Sequence, residues 1–177
     1  MRGRQAATAG GWLLAATLLT TSAIAQEIDR LVTLGDSASD AGNLQLLLSG
    51  LLDPTPASAG YFQGRFSNGP TLADQASLRF LGALSRPSLA GGDNYSYGGA
   101  TVVPDIAVGN SFQPIPPFIP DLPEQVGAYL DAGVDPEALH LVEIGTNDTL
   151  MVGIGFAPLA PTVTALRETL SGELSRL

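Results

Sequence analysis

Three residue types that often build catalytic or structural sites are scarce or absent in this sequence. The 177 residues contain no cysteine and no lysine, and their only histidine is His140. The lack of cysteine excludes disulfides, a thiolate nucleophile and cysteine-based metal sites. Because eight arginines stand against 17 acidic residues, the formal net charge is -9, which argues against nucleic acid or an anionic membrane as a partner. The 45% hydrophobic content is typical of one globular domain.

The N-terminus has the pattern of an export signal. Two arginines precede an apolar run over residues 12–19, and residues 23–25 read Ala-Ile-Ala, the small-x-small pattern of a cleavage site. The alternative is a membrane anchor, but this run is much shorter than the roughly 20 residues that span a bilayer. We therefore predict a signal peptide of residues 1–25, a mature domain of residues 26–177, and a secreted or periplasmic location.

The rest of the chain predicts strands that alternate with helices. Short apolar, β-prone runs predict strands over residues 28–34, 95–103 (a strand and a turn) and 139–144. Apolar residues at helical spacing predict helices over residues 40–52, 70–81, 122–132 (capped by Asp121) and 161–177. Loops are expected over residues 53–69 and in the proline-rich stretch 103–123. This alternation implies the α/β class, a three-layer α/β/α sandwich with a mainly parallel sheet.

Three polar or glycine-rich clusters follow the predicted strands. They are Gly-Asp-Ser at residues 35–37, Gly-Gly at 98–99 and Gly-Thr-Asn-Asp at 145–148. Ligands of an open parallel sheet bind beyond the carboxyl ends of its strands, so these clusters are expected to converge. A serine at a strand-to-helix turn presents its hydroxyl to the cleft, near backbone N–H groups that bind developing negative charge. The pattern therefore favours acyl transfer through Ser37.

These clusters carry a resemblance to a known family. Residues 35–43 read GDSASDAGN and resemble the first block of the GDSL (SGNH) esterase and lipase family, with Ala38 in place of the usual leucine. Residues 64–70 read GRFSNGP, which is similar to a stretch common in the lipase-like branch. Residues 94–100 (NYSYGGA) resemble the second block, and residues 145–148 (GTND) match the GxND block.

The resemblance covers the N-terminal portion of the family only. Its last block, an Asp-x-x-His, has no counterpart in these 177 residues. The implied fold is thus an SGNH-hydrolase (flavodoxin-like) sandwich, expected to be incomplete at the C-terminus because the domain is truncated before that block.

The resemblance also implies roles for individual residues. Ser37 would be the nucleophile, and the oxyanion hole would consist of the Ser37 N–H, the Gly99 N–H and the side-chain amide of Asn147. Gly99 is favoured over Gly98 because the family glycine usually lies five residues after the asparagine of its block, here Asn94. An amide is a neutral donor, and a glycine lets substrate approach the backbone closely, so both suit an oxyanion. The implied substrate is a small-molecule or lipid ester, and no metal or organic cofactor is called for.

Each of these residues also has a plainer interpretation. Ser37 could cap the following helix, Gly98 and Gly99 could form an ordinary turn, and Asn147 could be a turn residue. Four blocks in the family order favour the catalytic interpretation over these. Asp36 is expected to form structural hydrogen bonds rather than to act on the substrate.

The position of the single histidine decides between the remaining hypotheses. His140 precedes Asn147 on the same predicted strand and is about 20 Å from the strand end that holds the site, so it is not expected to be the base. The leading hypothesis is an exported ester hydrolase that acts through an acyl-enzyme, with its histidine beyond residue 177. Alternatives are a binding protein that lacks the base and a short enzyme with an acidic base such as Asp36 or Asp148. A metal- or nucleotide-binding domain is disfavoured because the chain has no cysteine and no phosphate loop.

Overall fold

The computed structural model describes residues 27–104 and 119–177. In these two ranges the chain forms two strands and five helices, in the order β1 (Leu31–Gly35), α1 (Asn43–Leu47), α2 (Leu72–Leu81), α3 (Leu122–Ala132), β2 (Leu139–Glu143), α4 (Thr146–Gly153) and α5 (Leu159–Leu174). Single 3-10 turns are formed by Ala57–Ala59 and Ser88–Ala90. The predicted signal peptide and most of the proline-rich stretch lie outside the described residues.

Strand β1 is the centre of a parallel sheet. On one side it pairs with β2, in a register that runs from Leu31 opposite Leu139 to Gly35 opposite Glu143. All five residues of β1 are buried. Because successive side chains of a strand point to opposite faces, both faces of β1 are covered, as the α/β prediction requires.

The segment expected to form a strand and a turn over residues 95–103 begins along the other side of β1, but it is not a regular strand. Backbone bonds join Thr33 N–H to the Asp93 carbonyl (2.9 Å), Tyr95 N–H to the Thr33 carbonyl (2.7 Å) and Tyr97 N–H to the Gly35 carbonyl (3.1 Å). Only isolated bridges are assigned, at Asn94. The paired run covers residues 93–97 and then turns at Gly98 and Gly99, so the predicted order of an extended run and a turn is found, but without a regular strand.

One hydrophobic core lies between the sheet and two helices. Val32 and Leu34 on β1 pack with Val126 and Tyr129 on α3, and all four side chains are fully buried. Leu166 and Leu170 of α5 pack against the same cluster. The apolar stripe predicted over residues 161–177 therefore does face the core, on a helix that begins two residues earlier and ends three residues earlier.

The predicted helices α3 and α2 are both present, with differences at their N-terminal ends. Helix α3 has the predicted bounds, although Asp121 does not cap it with its side chain and instead accepts the Thr101 N–H at 2.7 Å. Helix α2 begins at Leu72 rather than residue 70, because Thr71 and Asp74 form a capping box.

Helix α1 is much shorter than predicted, and helix α4 was not predicted at all. The predicted helix over residues 40–52 is helical only from Asn43 to Leu47, and Leu51 and Leu52 beyond it are 68% and 57% exposed. The apolar stripe is buried at its start, at Leu44, but exposed at its end, where the helix is lost. Helix α4 starts directly after Gly145, whose φ of 114° is left-handed and ends the preceding strand segment.

Candidate active site

Ser37 lies in a tight turn immediately after β1. The Asp36 N–H donates to the Glu143 carbonyl (3.2 Å), and the N–H groups of Ser39 and Asp40 donate back to the Asp36 carbonyl (3.2 and 3.0 Å). Ser37 is partly exposed. Within the described ranges neither its hydroxyl nor its N–H has a hydrogen-bond partner, so both remain available to a ligand.

Glycine at position 35 makes this turn possible. A Cβ on Gly35 would lie 2.4 Å from the Glu143 carbonyl oxygen, far inside van der Waals contact. Any larger residue would push the end of β1 away from β2. The glycine of the Gly-Asp-Ser block thus serves the close approach of two strand ends beside the nucleophile position.

The carboxylate of Asp36 connects the Ser37 turn to helix α4. The side chain is fully buried and accepts the Ala38 N–H (3.0 Å) and the Thr146 N–H (3.3 Å). It forms no hydrogen bond to Ser37 within the described residues. This arrangement agrees with the prediction that Asp36 is a structural hydrogen-bonding group.

The N–H groups of the two glycines in the second block differ in their hydrogen bonding. The Gly98 N–H donates to Asp40 Oδ2 (2.9 Å), whereas the partly exposed Gly99 N–H has no acceptor in the described ranges. Gly99 has a φ of 88°, a left-handed conformation that favours glycine. Of the two, only the Gly99 N–H is therefore unengaged within the described residues.

Asn147 is the second residue of α4, not a residue of an irregular turn. Its side-chain amide donates to the Ala100 carbonyl (2.7 Å), the residue directly after Gly99. An amide nitrogen has two hydrogens, so the second remains free for another acceptor. The bond fixes the Asn147 side chain beside the loop that carries the Gly99 N–H.

Backbone bonds bring the three predicted site residues to one end of the sheet. Gly35, two residues before Ser37, accepts the Tyr97 N–H, two residues before Gly99. Asp36 accepts the Thr146 N–H, and Thr146 precedes Asn147. The Gly-Asp-Ser, Gly-Gly and Gly-Thr-Asn-Asp clusters thus converge at the carboxyl end of β1, as expected from parallel strands.

The acidic residues proposed as alternative bases are engaged elsewhere. Asp148 is fully buried and accepts the N–H groups of Val102 (2.9 Å) and Val103 (3.1 Å). Burial raises the pKa of Asp148, and these backbone bonds oppose that rise. Since Asp148 and Asp36 both bind backbone N–H groups, neither is placed as a base against the Ser37 hydroxyl.

His140 lies at the opposite end of the sheet from Ser37. It is the second residue of β2 and pairs with Val32, whereas Ser37 comes after the last residue of β1. Its ring makes an edge-on contact with Tyr129 (centroids 5.3 Å apart), and its buried Nε2 has no hydrogen-bond partner in the described ranges. Burial lowers the pKa of His140, and nearby Arg30 lowers it further. The expected position of His140, away from the strand end that leads to Ser37, is confirmed, and its exclusion as the base stays a prediction.

Sequence reasoning missed several polar residues that organise the site. The buried Ser39 hydroxyl donates to Glu143 Oε2 (2.6 Å) at the carboxyl end of the sheet. Asn43 donates through its side chain to the carbonyls of Asn94 (2.7 Å) and Ser96 (3.0 Å). The Asp-x-Gly-Asn spacing of residues 40–43 was the available signal, because such residues bind backbone groups near helix starts. No cluster of three or more potential metal-ligating side chains occurs in residues 27–104 and 119–177.

Comparison with known proteins agrees with the arrangement of the site. The model of the family described as GDSL-like Lipase/Acylhydrolase matches residues 31–176. The phosphatidylcholine-sterol acyltransferase of Aeromonas hydrophila is 33% identical over 125 residues, which make up 70% of this chain and 34% of that protein. The chain thus spans about a third of the length of that relative. The matched range starts at the first residue of β1 and contains all four sequence blocks, and the chain belongs to the GDSL-like lipase/acylhydrolase family.

Proposed function

We propose that this chain supplies the nucleophile and the oxyanion hole of an enzyme that cleaves carboxylic esters through an acyl-enzyme. The observation that carries the proposal is a set of unengaged groups at one end of the sheet. The Ser37 hydroxyl, the Ser37 N–H and the Gly99 N–H have no partner in the described ranges, and the Asn147 amide is fixed beside Gly99. Membership of a family of lipases and acylhydrolases supports the same conclusion.

In the proposed reaction, the Ser37 oxygen attacks the ester carbonyl carbon while a base takes the hydroxyl proton. The carbonyl oxygen becomes an oxyanion that accepts from the Ser37 N–H, the Gly99 N–H and the Asn147 amide. Collapse of the intermediate breaks the ester C–O bond, and the alcohol leaves with the proton held by the base. Water or a second alcohol then attacks the acyl-enzyme in the reverse sense and restores the free serine.

The base in this proposal is a histidine from outside residues 1–177. The sequence contains only His140, whose ring packs on Tyr129 at the amino end of the sheet. Serine is a weak nucleophile without an adjacent base, so His140 would leave Ser37 unactivated. The Asp-x-x-His block implied by the family resemblance is the proposed source.

For the substrate we propose a lipid ester. The relative's name joins phosphatidylcholine and a sterol in an acyl transfer. By analogy, the acyl acceptor for this protein is either water or a lipid alcohol. Products distinguish the two, since hydrolysis gives free fatty acid and transfer gives a new ester.

Export is part of the same proposal. The signal-like pattern of residues 1–25 supports delivery across a membrane with cleavage before Gln26. In the described part of the chain, no helix is long and apolar enough to cross a bilayer. N-terminal sequencing of protein recovered outside the cytoplasm should begin at Gln26, and an intact Met1 there would refute cleavage.

A second candidate is a binding protein that has the cleft but no base. It is favoured by one observation, the placement of the only histidine of these residues at the far end of the sheet. Such a protein would bind esters without turning them over, in any form of the protein.

Hydrolysis of p-nitrophenyl acetate and butyrate tests both candidates. We expect no turnover by residues 1–177 alone and turnover by a longer form that includes an Asp-x-x-His block. Ser37→Ala should abolish that turnover, while the exposed Ser58→Ala control should retain it. Turnover by residues 1–177 that is lost in Ser37→Ala and kept in His140→Ala would contradict an external base. Binding without turnover in the longer form would favour the binding protein.

A further inference from the structure

Residues 93–97 form an extended run that leads into the turn at Gly98, and the two edges of this segment are bound in different ways. One edge is bonded to the backbone of β1 through Asp93, Tyr95 and Tyr97. Much of the other edge is bonded to side chains from residues 40–43. Asn43 Nδ2 donates to the carbonyls of Asn94 and Ser96, and Asp40 Oδ2 accepts the Gly98 N–H. These two side chains thus provide hydrogen-bond partners of the kind that a neighbouring strand would provide.

The Asp40 carboxylate joins two segments of the site. Its Oδ1 accepts the N–H groups of Gly42 and Asn43 (both 2.7 Å), and its Oδ2 accepts those of Leu44 (3.2 Å) and Gly98 (2.9 Å). The first three donors begin helix α1, just after the Ser37 turn, and the fourth belongs to the second block. Among the described residues, no other side chain joins these two segments by accepting four backbone N–H groups.

The environment of Asp40 makes its hydrogen bonds costly to lose. The side chain is fully buried and forms no salt bridge with any described residue. Burial raises the pKa of Asp40, and the four backbone N–H groups counteract this by stabilising the carboxylate. A buried carboxylate that is bound only by backbone N–H groups therefore requires those groups to stay in position.

Gly98 is held on its other side by the aromatic ring of Phe66. A Cβ on Gly98 would lie 2.4 Å from Phe66 Cε2 and 3.0 Å from Leu44 Cδ2. Gly98 therefore has little freedom to move, and its N–H is committed to Asp40. The next N–H along the chain, that of Gly99, is the first one left free.

We propose that Asp40 is a positioning residue of the oxyanion hole, which holds Gly98 so that the Gly99 N–H faces the same point as the Ser37 N–H. The inference rests on the proposed function of Ser37 and Gly99. Asp40 itself has no contact with substrate, because its carboxylate is buried and occupied by backbone donors. Its contribution is geometric, and small displacements of an oxyanion donor have large effects on rate.

The variant Asp40→Asn tests this in the ester-cleaving form of the protein. The substitution nearly preserves shape, but the new NH₂ group must face backbone N–H donors of one of the two segments. We expect kcat to fall by about 10-fold to 100-fold while KM changes by less than about threefold. Labelling of Ser37 by a phosphonate ester should slow by a factor similar to that for kcat/KM, because the phosphonyl oxygen occupies the same hole.

Asp74→Asn is the matched control. Asp74 is also fully buried and caps a helix, but its partners are Thr71, Ser85 and Arg65 (2.8 Å) rather than site residues. If both variants lose thermal stability and only Asp40→Asn loses kcat, positioning is supported. Equal losses of kcat in the two variants would overturn it.

A measurement on the unaltered chain keeps the inference testable if Asp40→Asn fails to fold. Amide hydrogen exchange should be slow at Gly98 and fast at Gly99, because only the first N–H is bonded. Exchange at Gly98 as fast as at Gly99 would overturn the proposal. Failure of the proposed function is distinguishable, since it would appear as full activity in Ser37→Ala whatever Asp40→Asn does.

Discussion

The two ends of strand β1 use buried polar side chains in opposite ways. At the carboxyl end, the carboxylates of Asp36, Asp40 and Asp148 are fully buried, and each accepts at least two backbone N–H groups. At the amino end, His140 packs its ring on Tyr129 and leaves a buried Nε2 without a partner in the described ranges. Polar groups at the first end organise loops, whereas the histidine at the second end serves as packing.

The contrast explains why only one end offers unengaged donors to a ligand. Because the three carboxylates bind the backbone around Ser37 and Gly99, the N–H groups of these two residues are left over and partly exposed. Preorganised donors of this kind stabilise developing charge without reorganising during the reaction.

After the loss of turnover expected for Ser37→Ala, the next largest effect is expected at Asn147. In the ester-cleaving form of the protein, Asn147→Ala should lower kcat by about 100-fold to 1,000-fold with little change in KM if, as proposed, the Asn147 amide donates to the oxyanion. Asn68→Ala is the control, since Asn68 is exposed and lies in the Gly-Arg-Phe-Ser-Asn-Gly-Pro stretch. Steady-state kinetics with p-nitrophenyl butyrate measure both. A loss of tenfold or less would make Asn147 a structural residue that only binds the Ala100 carbonyl.

A smaller effect, on stability, is expected at Gly98. Gly98→Ala places a methyl group against the Phe66 ring, and such overpacking costs about 1–3 kcal/mol. Gly127→Ala is the matched control, because a Cβ there meets nothing within 4 Å and alanine favours a helix interior. Urea unfolding of residues 1–177 measures the difference. Adding Phe66→Leu should recover part of the loss, and a Gly98→Ala variant as stable as the parent would contradict the packing described.

The smallest effect concerns the amino end of the sheet. Because burial lowers the pKa of His140 in the folded state, the unfolded chain binds its proton at higher pH. Stability from this residue is therefore full above the unfolded pKa of about 6.5 and is lost as pH falls through the folded pKa. His140→Phe keeps an aromatic ring beside Tyr129 and removes the titration, so it should flatten the stability profile in this acidic range. It should leave kcat at pH 8 unchanged, and a large loss of kcat would put His140 back among candidate bases.

Sequence patterns predicted the helices and turns whose signals lie within the element itself. The helix over residues 122–132 has the predicted bounds because its main signal, apolar residues four apart, is local. Ser37 lies in a turn after β1 for the same reason, since Gly-Asp-Ser directly follows an apolar run. The choice of Gly99 over Gly98 as oxyanion donor rested on the family spacing and stays a prediction, and the structure engages the Gly98 N–H with Asp40.

Features that depend on partners distant in sequence could not be predicted. The helix over residues 40–52 stops at Leu47, and Leu51 and Leu52 beyond it are mostly exposed. The run over residues 93–97 is bound in part by the side chain of Asn43, a contact that strand periodicity does not report. Asp121 was predicted to cap a helix but binds Thr101 instead, and both roles use the same carboxylate chemistry.

The central claim is that Ser37 is the acylated nucleophile. A fluorophosphonate should label the ester-cleaving form of the protein once, and peptide mass spectrometry should place the adduct on the peptide that contains Ser37. Labelling should disappear in Ser37→Ala and persist in Ser58→Ala. An adduct on another serine, or equal labelling of Ser37→Ala, would contradict the account.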